Sequence, residues 1–285
     1  AHAWVEYGED TLNLRRARME YGGQTICHDI EHKVRLEGLK PGGSYFYRVC
    51  AQEILYYGAY KKIMGNTQTT EFYSFRLPEK KQTDFTALIF NDLHREAETI
   101  RLMSGLAESI PHDFVLFNGD CIPDPTSRDD AMHMLHRLTS AFHTEQTPAF
   151  FVRGNHEIRG FHSAALPSLL DQPGGKTYGA FSWGDTRFVI LDCGEDKPDD
   201  HPVYYGLNDF SAFRQEQSDF LQAEMKSQDF KKAKRHILVN HIPLWGCGDK
   251  YHPSAELWTP LLKDARFDIA LSGHNHRFRY HPTGD

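Results

Sequence analysis

Apolar runs in the second part of the chain end, again and again, in polar clusters, and this pattern limits the possible folds more than any other feature. "FTALIF" runs into Asn91-Asp92-Leu93-His94, "FVLF" into Asn118-Gly119-Asp120, and "AFFVR" into Gly154-Asn155-His156-Glu157. "HILV" leads to Asn240-His241, and "DIALS" to Gly273-His274-Asn275-His276. Runs of this size have the length of buried strands; a membrane span needs roughly 20 apolar residues. Strands are predicted at 85–90, 113–117, 148–152, 186–191, 236–239 and 267–271. Between them, near 95–109, 128–142, 210–227 and 254–264, apolar residues recur every three or four positions and predict helices. Strand-helix alternation implies an α/β domain. In such sheets ligand-binding groups gather beyond the carboxyl ends of the strands, which is where the five clusters stand.

Carboxylate, amide and imidazole groups are metal ligands of the hard and intermediate kind. In Asp92-x-His94 and His274-x-His276, alternate residues leaving a strand would face one side and could meet one site. The glycines would let the backbone turn sharply and come close to an ion. Singly, each signal is weak. Asp-x-His is common by chance, Gly119-Asp120 and Gly154-Asn155 also read as turns, and a lone His241 reads as a core or surface histidine. All five in order, each behind a strand, are hard to obtain without a shared metal site.

The chain has 17 histidines, and most need no metal. His133, His136 and His143 fall at helical spacing with Met132, Met134, Leu135 and Phe142, and read as a helix face. A net charge of −7 with pI near 6.2 argues against a dedicated nucleic-acid partner, for which a basic domain is expected. Cys27, Cys50, Cys121, Cys193 and Cys247 show no CxxC spacing, so neither a zinc ribbon nor a redox pair is indicated. Asp192, Glu195 and Asp196 in "LDCGEDKPDD" read as a solvated loop in preference to an acidic rim, and 209–232 as an amphipathic surface helix. No signal peptide is visible at Ala1.

Residues 1–77 carry short, alternating, aromatic-rich strands. Within "LEGLKPGGSYFYRVCA", the turn Leu39-x-Pro41-Gly42-x-x-Tyr45 resembles the tyrosine corner of immunoglobulin-like and fibronectin type III sandwiches. Such sandwiches need about seven strands in roughly 100 residues, so an incomplete one is expected. Residues 78–84 read as a linker and 85–285 as the α/β domain.

The ordered series Asp92-x-His94, Gly119-Asp120, Gly154-Asn155-His156-Glu157, His241 and Gly273-His274-x-His276 resembles the motif series of the calcineurin-like metallophosphoesterases. With a fibronectin-like domain in front, the chain is similar to the purple acid phosphatase branch, and "RGNHEIRG" and "LDCGEDK" look like a bacterial group within it. The resemblance implies a β-sandwich flanked by helices (α/β/β/α), here expected to be truncated at the C-terminus. It implies that Asp92, His94, Asp120 and His276 hold one metal, and that Asp120 bridges to a second held by Asn155, His241 and His274. The implied reaction is hydrolysis of a phosphate ester by a metal-activated hydroxide, with a monoester favoured and a diester as the alternative. His156 would act on the substrate as the catalytic residue, and His252, Arg159 and Arg153 are candidate substrate contacts. For the arginines a structural salt bridge is an equal alternative. A non-catalytic binding protein with a structural metal site is the competing class.

Two departures bear on the metals. Purple acid phosphatases place a tyrosine three residues after the bridging aspartate, where this chain has Pro123, and a glycine where it has His94. Without a tyrosinate ligand the preference for ferric iron loses its basis, and zinc, manganese or iron fit the donor set. The resemblance further implies an extracytoplasmic protein whose partner is a phosphate-ester substrate, without a membrane span and with no oligomeric state specified.

Overall fold

The computed structural model describes residues 1–246, 251–263 and 265–282; Cys247 lies outside them. The chain divides into two compact units, Ala1–Lys80 and Lys81–Asp285.

The first unit contains β1 (His2–Gly8), β2 (Arg15–Ala17), β3 (Glu20–Tyr21), β4 (Gln24–Thr25), β5 (Ser44–Tyr57), β6 (Lys62–Thr69) and β7 (Tyr73–Arg76). An antiparallel five-stranded sheet runs β2-β1-β5-β6 with β7 also on β5, and β3 and β4 form a separate ribbon. Tyr45, buried at the start of β5, has its hydroxyl 2.7 Å from the Lys40 backbone N–H, which donates to it. That is the hydrogen bond a tyrosine corner makes. Among the described residues the strands make this one sheet and the ribbon, with no second sheet facing it.

The second unit is layered. β8 (Ala87–Phe90), α1 (Ala97–Glu108), β9 (Phe114–Asn118), α2 (Arg128–Ala141) and β10 (Ala149–Val152) give a parallel sheet in the order β10-β9-β8. β11 (Gly179–Trp183), β12 (Thr186–Ile190), α3 (Phe210–Lys226), α4 (Gln228–Lys232), β13 (Arg235–Val239), α5 (Pro253–Leu262) and β14 (Ile269–Leu271) give a second sheet, β11-β12-β13-β14. Only β11 is antiparallel to its neighbour.

Side-chain alternation sorts residues between layers, because successive residues of a strand face opposite ways. On β9, Val115 and Phe117 join the core beneath α1 and α2, whereas Phe114 and Leu116 face the other sheet. On β12, Val189 packs toward α3 and α5, while Phe188 faces Phe114. The two sheets therefore close face to face with helices outside each, an α/β/β/α arrangement. Phe114 sits in the seam against Phe85, Phe150, Trp183 and Phe188. Each such ring pair contributes on the order of 0.5–1.5 kcal/mol beyond area burial.

Two elements differ from the sequence expectation. β11 carries Gly, Ala and Ser, which weaken its strand signature, but "SWGDTR" holds the Gly184-Asp185 link that returns the chain into β12. The helix predicted through 209–232 breaks at Ser227, whose extended backbone ends α3 while its hydroxyl accepts the Phe230 N–H to start α4. The inner face of α3 is also polar: Arg214, Gln217 and Glu224 are buried. Gln217 bonds both backbone groups of Asp192, and Arg214 donates to the carbonyls of Cys193 and Glu195. The helix thus holds the loop after β12 by its backbone. His133, His136 and His143 are exposed, as a solvent-facing helix edge requires. No helix among the described residues is long and apolar enough to cross a membrane.

Candidate metal centre

The loops following β8, β9, β10, β13 and β14 converge at one end of the two sheets. Backbone bonds lock them: Asp92 N–H donates to Gly119 O (3.0 Å), His94 N–H to Asp120 O (2.8 Å), and Gly273 N–H to His241 O (2.9 Å). Asp92, His94, Asp120, His274 and His276 all take left-handed backbone conformations, with φ between 48° and 71°. Such angles cost a non-glycine residue on the order of 1–3 kcal/mol and persist only where surroundings impose them. They also correct the reason expected for the x-spaced pairs. β8 ends at Phe90 and β14 at Leu271, so Asp92 meets His94 through left-handed curls and not through strand alternation, while His274 and His276 go to different groups of ligand atoms.

Two groups of ligand atoms result, Asp92 with His94 and His276, and Asp120 with His241 and His274. In each, the atoms lie within 4.8 Å of one another. His94 and His276 point Nε2 at each other across 3.3 Å, and His276 Nε2 is 3.3 Å from Asp92 Oδ1. His241 Nε2 is 3.1 Å from Asp120 Oδ2 and 3.7 Å from Asp92 Oδ1, so the two groups adjoin. Asn155 Oδ1 lies 2.9 Å from His274 Nδ1, and Asn155 is buried.

The residues fit metal ions on the structure's own terms. Asp92 Oδ1 and His241 Nε2 are buried and face only the neighbouring ligand side chains, 3.1–3.7 Å away and poorly aligned for hydrogen bonds, so each keeps capacity for a further partner. Burial lowers the pKa of His94 and of His274 and favours the neutral, ligating imidazole. Burial likewise opposes charge on His241, but Asp120 and Asp92 outweigh it and hold its pKa up at about 9. For Asp120, burial is outweighed by His241 and the His156 N–H, leaving it at about 2. The acidic pocket thus holds a proton where a cation would sit.

Glu157, named in sequence only as a possible orienting group, is fully buried and accepts N–H bonds from Asp120 (2.8 Å), Cys121 (2.7 Å), Ile122 (2.6 Å) and Gly154 (2.7 Å). Burial and the Asp120 charge push its pKa up, and these donors act against them. It welds the loop after β9 to the loop after β10. Gly154 is needed for closeness, not for its turn: a Cβ there would come within 2.3 Å of Asp120 Oδ1.

His156 stands beside the ligands, its ring 5.0 Å from that of His94 and its N–H donating to Asp120 Oδ1 (2.9 Å). Its Nδ1 is 3.2 Å from both oxygens of Asp124, and Arg159 Nη1 is 3.1 Å from its Nε2. A guanidinium only donates, so Nε2 accepts and the ring proton sits on Nδ1. Sequence reading missed Asp124, although an aspartate held between Pro123 and Pro125 just after Asp120 was a usable signal. Arg95 braces that loop, pairing with Asp130 and donating to the Pro123 and Asp124 carbonyls.

Asp192, Glu195 and Asp196 are not a solvated loop. Asp192 and Glu195 are buried, because each receives an arginine: Arg153 Nε donates to Asp192 (2.7 Å), and Arg159 donates to Glu195 (2.7 Å) and Asp196 (2.9 Å). Arg153 is engaged in that pair, whereas Arg159 still reaches His156. His252 lines a cavity of about 320 Å³ together with His274, Glu195 and Tyr251.

Comparison with known proteins agrees with this geometry. Residues 85–278 match the family model for calcineurin-like phosphoesterases. The chain is 24% identical to purple acid phosphatase 21 of Arabidopsis thaliana over 316 aligned residues, which cover 99% of this chain and 64% of the plant protein. Its fold is similar to the structure of purple acid phosphatase PPD1 from yellow lupin seeds, with a TM-score of 0.66 at 17% identity over 96% of this chain and 53% of the lupin chain. The chain thus spans less than two thirds of either relative. With the family model covering more than half of its residues, the chain belongs to the calcineurin-like phosphoesterase family.

Proposed function

We propose that the protein hydrolyses phosphate esters at a dinuclear metal centre, with monoesters preferred. The observation that carries this reading is the pair of adjoining ligand groups with the Asp120 carboxylate between them. Asp92, His94, Asp120 and His276 would hold one ion, and Asp120, Asn155, His241 and His274 the other. Bound there, two metals supply a nucleophile at neutral pH and neutralise charge on the phosphoryl oxygens.

The chain's own groups do the rest. Arg159 presents N–H donors beside His156, suited to the planar oxygens of a phosphoryl group. Asp124 behind the ring accepts from Nδ1 and fixes its orientation, so that Nε2 faces the side where a leaving alkoxide would need a proton. His156 also lies within reach of His94 and Asp120 as a third ligand cluster, but the Arg159 cation at its Nε2 disfavours a metal there. Arg153 supports the loop after β12, and His252 borders the cavity beside His274.

A phosphodiester is the second reading, since cavities open on both sides of Glu195 and Lys197 and offer room for two substituents. Hydrolysis of nitrophenyl phosphate and bis(nitrophenyl) phosphate by zinc- or manganese-loaded protein tests both. A higher kcat/KM on the monoester is expected, and the reverse ranking selects the diesterase. Turnover of neither, with about two metals bound per chain, would favour the non-catalytic class. An extracytoplasmic location is proposed from the family resemblance, and fractionation of the source cells checks it. The two relatives described above are plant proteins, and the proposed bacterial affinity rests on "RGNHEIRG" and "LDCGEDK".

A further inference from the structure

We infer that the ester's alcohol portion is a large apolar group, seated in a cleft that reaches the site through Arg159, the neighbour of His156. This rests on the phosphoesterase reading for which end of the ligand meets the metals. The cleft encloses about 1050 Å³, at the upper end of the roughly 300–1000 Å³ typical of small-molecule sites. Ile158, Phe161, Ala164, Val203, Leu207 and Phe213 give it apolar walls.

Continuity with the site identifies the occupant. Arg159 lines the cleft and lies 3.1 Å from His156 Nε2, so a phosphoryl group at His156 has its alcohol oxygen at the cleft's inner end. The wall is tied to the same machinery, because the Tyr204 hydroxyl donates to Glu195, which holds Arg159. The charges at that junction are matched internally: Arg159 with Glu195 and Asp196, and Lys197 with Asp196. Of the other polar lining residues, Arg153 is paired with Asp192 and Asp209 caps α3, which leaves Asn208 and the apolar side chains to meet the alcohol portion.

The rim also needs a cover. Phe161 is 98% exposed, Leu207 87% and Val203 59%, three apolar side chains bordering one cleft. Isolated exposed apolar residues are ordinary, but a contiguous group rimmed by polar residues marks a binding surface. A small alcohol would leave these side chains bare, whereas a chain of several methylenes covers them. Each methylene buried raises affinity by about fourfold.

The test uses full-length, metal-loaded protein and n-alkyl phosphonates from ethyl to octyl, kept below their micelle concentrations and titrated by calorimetry. The matching alkyl phosphates are assayed for hydrolysis, since their leaving-group basicity barely changes along the series. Affinity and kcat/KM should climb by about fourfold per methylene over several members, with an increasingly negative heat-capacity change. Phe161→Ser combined with Leu207→Ser should flatten that climb at an unchanged melting temperature, because both side chains are exposed. A flat series, a slope that survives the double substitution, or octanol binding as tightly as octyl phosphonate would overturn the inference. Hydrolysis of every ester at one kcat/KM would remove the cleft's role and leave the phosphoesterase reading standing. A phosphonate slope without any hydrolysis would do the opposite.

Discussion

Glu157 holds Asp120 by its backbone: the Asp120 N–H donates to Glu157 Oε2 across 2.8 Å, while the Asp120 carboxylate is left for the histidines. A side chain from one loop thereby fixes the angle at which a second loop offers its ligand. Glu157→Ala would strand four buried N–H donors, each costing roughly 1–3 kcal/mol when unsatisfied. A loss of about 3 kcal/mol or more in denaturant unfolding is expected, with weakened metal binding. Stability within about 0.5 kcal/mol of the parent would refute the welding role.

Neighbours Asn155 and His156 should separate under mutation. Asn155→Ala should weaken metal affinity by about 100-fold or more, since groups that merely orient a ligand are worth about 10–100-fold. His156→Ala should keep both metals and slow turnover by about 10²–10⁴-fold. Asp124→Asn should resemble a milder His156→Ala, because the ring loses the carboxylate that orients it. Metal content by elemental analysis beside kcat decides the matter, and equal metal loss in both alanine variants would contradict the division of labour.

Chelation should lower the melting temperature. The ligand loops hold left-handed backbone and clustered carboxylates that only a cation relieves, and a ligand at 100 times its Kd adds about 2.7 kcal/mol. Calorimetry with and without a chelator measures the shift. Asp120→Asn should abolish most of it, and an unchanged melting temperature after demonstrated metal removal would argue against the centre.

Acid should loosen the first unit through Glu6. Its hydrogen bonds from Arg48, joined by Trp4 and Arg16, hold its pKa down at about 2 from an ordinary 4.5. A depressed carboxyl stabilises the fold fully above its unfolded pKa and ceases to do so as pH falls through its folded one. Protection of β1 and β5 amides from hydrogen exchange should therefore decline between about pH 4.5 and pH 2. In Glu6→Gln that decline should vanish, while protection at neutral pH should be lower.

The fold was legible where side chains obey a period. Val115 and Phe117 against Phe114 and Leu116 announce a strand buried on both faces, and so does β12. β11 escaped because Gly179, Ala180 and Ser182 lower its strand signal, and its pairing with β12 is a tertiary fact. At the site, the candidate ligand set was legible because metal chemistry restricts residue type. The means of convergence was not. Nothing in Asp92-x-His94 announces left-handed backbone, which packing imposes from residues far along the chain. Glu195 and Arg214 were illegible for a related reason: a polar residue in a loop or on a charged helix looks solvated until its partner is known.

The ligand set is divided between the sheets, with Asp92, Asp120 and Asn155 carried by one and His241 and His274 by the other. The site therefore behaves as a vice whose two jaws are set by a screw at some remove, the aromatic stack of Phe114, Phe150, Phe181 and Phe188. Trimming one of those rings would let the jaws slip sideways, and the ions would register the slip before the fold did. Residues with no part in the chemistry thereby set the tolerance to which the chemistry is machined.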